Sequence, residues 1–147
     1  MGIKFFLFLT ISLSCSVSAE QISIMSYNLN NLFDAQDDPG KDDKAYLPIA
    51  LKNNDDHIMG CLQVKNSKWR NECLFLDWNE EVVQKKISNI SDLLISMNES
   101  QPDIIAIQEI ENLNVLRMLF KKIEALGYTD FALIEGEDYR GIDNAII

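Results

Sequence analysis

Hydrophobic positions along this chain follow two rhythms. Val83, Ile87, Ile90, Leu94 and Met97 recur every three or four residues, which predicts an α-helix with one apolar stripe. Asp77, with Glu80 three residues on, predicts a capping-box start, and the helix is expected to end near Asn98 to Ser100, before Pro102. A second stripe of Leu116, Phe120 and Ile123 predicts a helix over about residues 114–126, stopped by Gly127. Short and almost wholly apolar runs predict strands at 21–27, 103–108 and 131–134, with a last one starting at Ile142. The first two read as strands buried on both faces. Residues 28–33 read as a turn, and 34–78 as one long irregular stretch. The order strand, loop, helix, strand, helix, strand, strand predicts a layered α/β architecture. A final apolar strand still running at Ile147 predicts an incomplete sheet with an open edge.

The first 19 residues break from this pattern. Lys4 is followed by the apolar run Phe5 to Leu13, and Val17-Ser18-Ala19 places small residues at a cleavage position. That arrangement predicts a signal peptide over 1–19, a mature domain over 20–147, and a secreted or periplasmic protein. A membrane anchor is the alternative, but the run is shorter than the roughly 20 residues a spanning helix needs. Lipid attachment at Cys15 is disfavoured by the preceding Ser12-Leu13-Ser14. Once the signal is removed, no stable membrane association is expected. Cleavage leaves Cys61 and Cys73, for which an oxidising compartment favours a disulfide; two free buried thiols are the alternative. A zinc site fits poorly, because His57 is the only histidine and the spacing matches no common zinc pattern.

Charge narrows the chemistry further. The formal net charge of −10 opposes binding a polyanion through bulk electrostatics, although a divalent cation can offset it locally. The acidic run Asp34, Asp37, Asp38, Asp42 and Asp43 does not have EF-hand spacing, and it reads as a solvated loop. Two polar clusters stand at the carboxyl ends of apolar strands: Tyr27-Asn28-Leu29-Asn30-Asn31 and Gln108-Glu109-Ile110-Glu111-Asn112. Ligands in α/β sheets bind at such strand ends. One carboxylate among amides suits magnesium, which takes few protein carboxylates and keeps places for water and phosphate. The same residues could instead cap the turns and helices that follow.

Three segments, taken in order, resemble the endonuclease/exonuclease/phosphatase family, in the form of its secreted bacterial endonuclease-like members. They are Met25-Ser26-Tyr27-Asn28-Leu29-Asn30-Asn31-Leu32-Phe33-Asp34, then Pro102-Asp103-Ile104-Ile105-Ala106-Ile107-Gln108-Glu109-Ile110-Glu111-Asn112, then Arg140-Gly141-Ile142-Asp143-Asn144-Ala145-Ile146. The stretch from Cys61 to Trp78 is similar to an insertion of that subgroup. The resemblance implies the N-terminal half of a four-layer α/β sandwich, two packed mixed sheets flanked by helices. It implies Glu109 as ligand of Mg2+ (or Mn2+), Asn28 beside the metal and the scissile phosphate, and Asn30, Arg140 and Asp143 as candidate substrate contacts. The implied reaction is phosphodiester hydrolysis, with nucleic acid as substrate. A phospholipid or sphingomyelin phosphodiesterase and a non-catalytic exported binding domain are the alternatives. The family's mid-chain histidine, Asp-x-Asn and Ser-Asp-His motifs do not occur in these residues, so the chain alone is expected to be an inactive fragment.

Overall fold

The computed structural model describes residues 20–147; the expected signal peptide over 1–19 lies outside them. Four strands form one mixed sheet: β1 (Ile24–Leu32), β2 (Ile104–Ile110), β3 (Ala132–Ile134) and β4 (Asp143–Ile146), in the order β1-β2-β4-β3. β1 runs parallel to β2, whereas β4 is antiparallel to both β2 and β3. Helices α3 (Glu80–Ser96) and α4 (Leu113–Ile123) cover one face. The core lies there, where Val83, Ile87, Leu94, Val115, Leu116, Leu119 and Ile123 meet Ile105, Ile107 and Ala145. Val83, Ile87, Ile90 and Leu94 of the first expected stripe and Leu116 and Ile123 of the second are buried, whereas Met97 and Phe120 are only partly buried and Val115 and Leu119 complete the buried face of α4. α4 ends where expected, with Gly127 left-handed at φ 98° after a closing 3-10 turn.

The other sheet face is open, which corrects the expectation of strands buried on both sides. Cα register sets Ile24 opposite Ile104, places Ser26, Ala106, Ile146 and Ala132 in one row, and Asn28, Gln108, Asn144 and Ile134 in the next. Ile24 is 67% exposed and Ile134 51%. An alternating strand has one wet and one dry face unless a second layer covers it, and no element among the described residues packs on this one.

Three further corrections concern boundaries and loops. β1 begins later than the 21–27 expectation and runs through Leu32, so the expected turn over 28–33 is instead a left-handed break at Asn30 and Asn31 within the strand. The cap of α3 is Asn79, whose side chain accepts the Val82 N–H; Asp77 instead accepts the Ile49 N–H and an Asn79 amide hydrogen. The irregular stretch contains two helices, α1 (Asp55–Leu62) and α2 (Ser67–Phe75), capped by Asn54 and Asn66. The Cys61–Cys73 disulfide joins them, and His57 Nε2 lies 3.2 Å from Cys61 Sγ and 2.9 Å from the Cys73 carbonyl oxygen.

Because α1 and α2 carry exposed Ile58, Met59, Leu62, Trp69 and Phe75, little buried apolar surface holds them in place. The disulfide closes a loop of 12-residue separation, worth about 3 kcal/mol of unfolded-state entropy. The Cys61→Ala, Cys73→Ala protein should lose stability of that order in urea melts. In the parent, alkylation without reductant should label neither cysteine; labelling of both would refute the bridge. No helix among the described residues is long and apolar enough to cross a membrane.

Candidate functional site at the carboxyl ends of β1 and β2

Parallel pairing brings the two polar clusters together. Asn28 on β1 is the Cα partner of Gln108 on β2, and Glu109 follows directly. Beyond this pair the ladder is irregular, with a register shift before Leu32 meets Ile110. The backbone here is unusual. Asn30 (φ 52°), Asn31 (φ 62°) and Glu109 (φ 61°) all have left-handed conformations. Asparagine tolerates this region through local hydrogen bonds, but for glutamate it costs free energy and tends to mark a functional position.

Glu109 Oε2 accepts the Asn31 N–H at 3.1 Å, which ties β2 to the turn of β1. Its Oε1 takes part in none of the described hydrogen bonds, and no described ion pair involves Glu109. The Asn28 side-chain oxygen accepts the Asn30 N–H at 2.7 Å and holds the turn from within. A half-buried carboxylate with one free oxygen, flanked by amides, fits a magnesium-type ion that completes its shell with water and phosphate.

Lys86 is a member of this site that the sequence pattern does not reveal. It sits on α3 between stripe positions, and its ammonium donates to the carbonyls of Asn30 and of Asn31, the latter at 2.9 Å. Burial pushes Lys86 down to about 8, while the charge of Glu109 acts to raise it. The ammonium also lies 5.2 Å from the Trp78 ring centroid. Trp78 donates its indole N–H to the Phe33 carbonyl at 3.1 Å. Tyr46 stacks on Phe33 at 4.1 Å between centroids and meets Trp78 edge-on. Burial raises the Tyr46 phenol, the charges of Glu72 and Glu109 add to the rise, and that of Arg140 acts to lower it.

The remaining candidates are placed less directly. Arg140 is forked onto Asp138, Nε to Oδ1 and Nη2 to Oδ2, each 3.1 Å. Asp143 is buried, and its Oδ1 accepts the Gly136 N–H at 2.7 Å, which fixes the turn leading into β4. Asn30 is exposed at the tip of the strand end. The single histidine is engaged beside the disulfide on α1.

A second acidic group lies next to this site, and it corrects the expectation of a solvated acidic loop. Asp34 and Asp43 are buried, as is Glu111 at the end of β2. Glu111 Oε2 accepts the Asp34 N–H at 2.7 Å across 77 residues of sequence. Burial pushes the Glu111 carboxyl up to about 9, and the charges of Asp34, Asp38 and Asp43 add to the rise. Burial likewise raises Asp43 to about 6. Comparisons with protein-family models, with curated proteins and with solved structures found no match to this chain.

Proposed function

We propose that this chain supplies the metal-holding part of an exported phosphodiesterase of the endonuclease/exonuclease/phosphatase type, acting on nucleic acid. One observation carries the reading. Asn28 and Glu109, 81 positions apart in the sequence, stand where the regular pairing of two adjacent parallel strands ends, and three left-handed residues shape the backbone there. In this reading the free oxygen of Glu109 holds Mg2+ or Mn2+, with the Asn28 amide beside it. When bound, such a cation polarises a phosphoryl oxygen and neutralises charge on the leaving oxygen. Lys86 fixes the Asn30–Asn31 turn through two carbonyls, so the site is ordered before substrate arrives. Arg140 is the candidate second contact to phosphate; its Nη1 is outside the fork to Asp138.

The finer fold is part of the same proposal. The open face, with Ile24, Ile104, Ile134 and Ile146 around a row of amides, suits a second sheet packed against it as in a four-layer sandwich. The proton-handling histidines implied by the resemblance would come from outside these 147 residues. His57 is occupied at the disulfide, and this chain by itself is expected to give no turnover.

Two measurements test the reading. In isotopically labelled protein, Mn2+ should broaden the amide signals of Asn28, Asn30, Asn31 and Glu109. Absence of broadening at these residues would remove the metal from the site. A chain extended through a Ser-Asp-His motif should nick supercoiled plasmid DNA with Mg2+ and leave sphingomyelin intact. The reverse preference assigns a phospholipid substrate, and cleavage of neither assigns a binding domain.

A further inference from the structure

We propose that Glu111 and Asp43 form the buried end of a second cation site, distinct from Glu109, that takes calcium and fastens the loop over residues 34–43 to the end of β2. The four carboxylates of Asp34, Asp38, Asp43 and Glu111 are linked through one neighbourhood. Asn112 Nδ2 stands 3.2 Å from Asp34 Oδ2, 3.5 Å from Asp38 Oδ2 and 3.2 Å from Glu111 Oε2. Asp38 N–H in turn donates to Asp43 Oδ2 at 2.8 Å. No described salt bridge reaches any of the four; those present join Lys44 to Asp42, Lys68 to Glu72 and Arg140 to Asp138.

Clustered carboxylates alone would prove nothing, since loops are often acidic. The distinguishing feature is a pair of bare oxygens. Glu111 is 2% exposed and Asp43 1%, yet Glu111 Oε1 and Asp43 Oδ1 have no hydrogen-bond partner. In each group the other oxygen is anchored by a backbone N–H, from Asp34 and from Asp38 respectively. The backbone thus fixes both carboxylates in place and leaves one oxygen of each without a donor. A buried acceptor without a partner is costly, and a buried carboxylate more so, unless a proton neutralises it or a cation meets it.

The donors are all oxygens and come from an irregular, charge-dense loop closed onto a strand end. Such a set suits calcium, which accepts six to eight oxygens in adaptable geometry, better than magnesium, which demands a tight octahedron. Among the described residues, the one trio of candidate ligands lying within 4.8 Å of each other is His57, Cys61 and Cys73, whose sulfurs are bonded together. The acidic oxygens are spread more widely, so calcium would draw the loop inward. Asn114 and Asn112 already hold Asp34 Oδ2, at 2.8 and 3.2 Å, which sets the wall against which the loop closes.

The purified protein, stripped with EDTA and dialysed against Ca2+, should retain about one calcium per chain by elemental analysis and show a raised melting temperature. Glu111→Gln and Asp43→Asn should each weaken calcium binding by on the order of tenfold or more, with the far-ultraviolet circular dichroism retained. Glu109→Gln should leave calcium binding unchanged, which keeps this outcome separate from that of the Mn2+ test. No retained calcium in the parent protein, calcium bound equally by both acidic-site variants, or loss of calcium in Glu109→Gln would each overturn the proposal. Because the first of these needs no variant, misfolding of a variant cannot rescue it.

Discussion

Trp78→Ala should destabilise the protein by about 3–5 kcal/mol, read as a lower urea midpoint. The indole is nearly buried and fills space between Tyr46 and the Phe33 backbone. Truncation leaves a cavity, which accounts for most of the loss. It also strands the Phe33 carbonyl, which Trp78 Nε1 now satisfies at 3.1 Å. The Trp78 backbone N–H donates to the Leu47 carbonyl, so the same residue joins the loop at Leu47 to the start of α3. Trp78→Phe keeps an aromatic ring but loses the N–H and the pyrrole part of the indole, so it should cost less than Trp78→Ala, with about 1–3 kcal/mol for the stranded carbonyl and a smaller cavity added to it. Tryptophan emission reports the same site, because Trp69 is 62% exposed and Trp78 is not. The blue-shifted component should vanish in Trp78→Ala. If the urea midpoint moved by less than Trp78→Phe requires, the aromatic trio would not be part of the fold's support. A second consequence lies at the candidate site. Lys86 would lose the ring beside it, and the Asn30–Asn31 turn that it clamps should exchange its amide hydrogens faster.

The elements that were legible in the sequence are those whose own residues decide burial. The stripes of α3 and α4 must face one apolar layer, and the run from Ile104 to Ile107 must sit inside a sheet, whatever else the chain does. Capping was harder. The expected cap was Asp77, but Asn79 takes the role because Asp77 is held by the Ile49 N–H, a contact 28 residues away. α1 and α2 were missed because their apolar residues form no stripe; a disulfide and two asparagine caps hold them instead. The buried faces of Asp34, Asp43 and Glu111 were invisible for a related reason. An acidic residue in a loop is ordinarily wet, and only a pairing across 77 residues takes Asp34 out of water. Asn28 and Glu109 could be singled out because strand ends recur as sites, whereas Lys86 arrives from a helix whose polar side gives no such signal.

Replacing Glu109 with Gln should have the largest functional effect. In an extended chain competent for catalysis, Mg2+-dependent turnover should fall on the order of a thousandfold or more. In the present chain, Mn2+ broadening at Asn28, Asn30 and Asn31 should disappear, while any broadening at residues 34–43 should persist. The fold should survive, because a glutamine oxygen can still accept the Asn31 N–H and the left-handed backbone asks no more of Gln than of Glu. What is lost is the negative charge on an oxygen that no described donor occupies. A neutral amide there is a far weaker ligand for a hard divalent ion, and Lys86, already held by two carbonyls, offers no replacement for it. Asn28→Ala tests the other half of the pair. It removes the acceptor of the Asn30 N–H, so it should loosen the turn as well as weaken the metal, and both changes should appear at the same residues. Turnover that survived Glu109→Gln would mean that the carboxyl end of β2 serves the fold and not a phosphate. The left-handed backbone at Glu109 would then need a structural cause, for which the bond from Asn31 N–H to its carboxylate is the only described candidate.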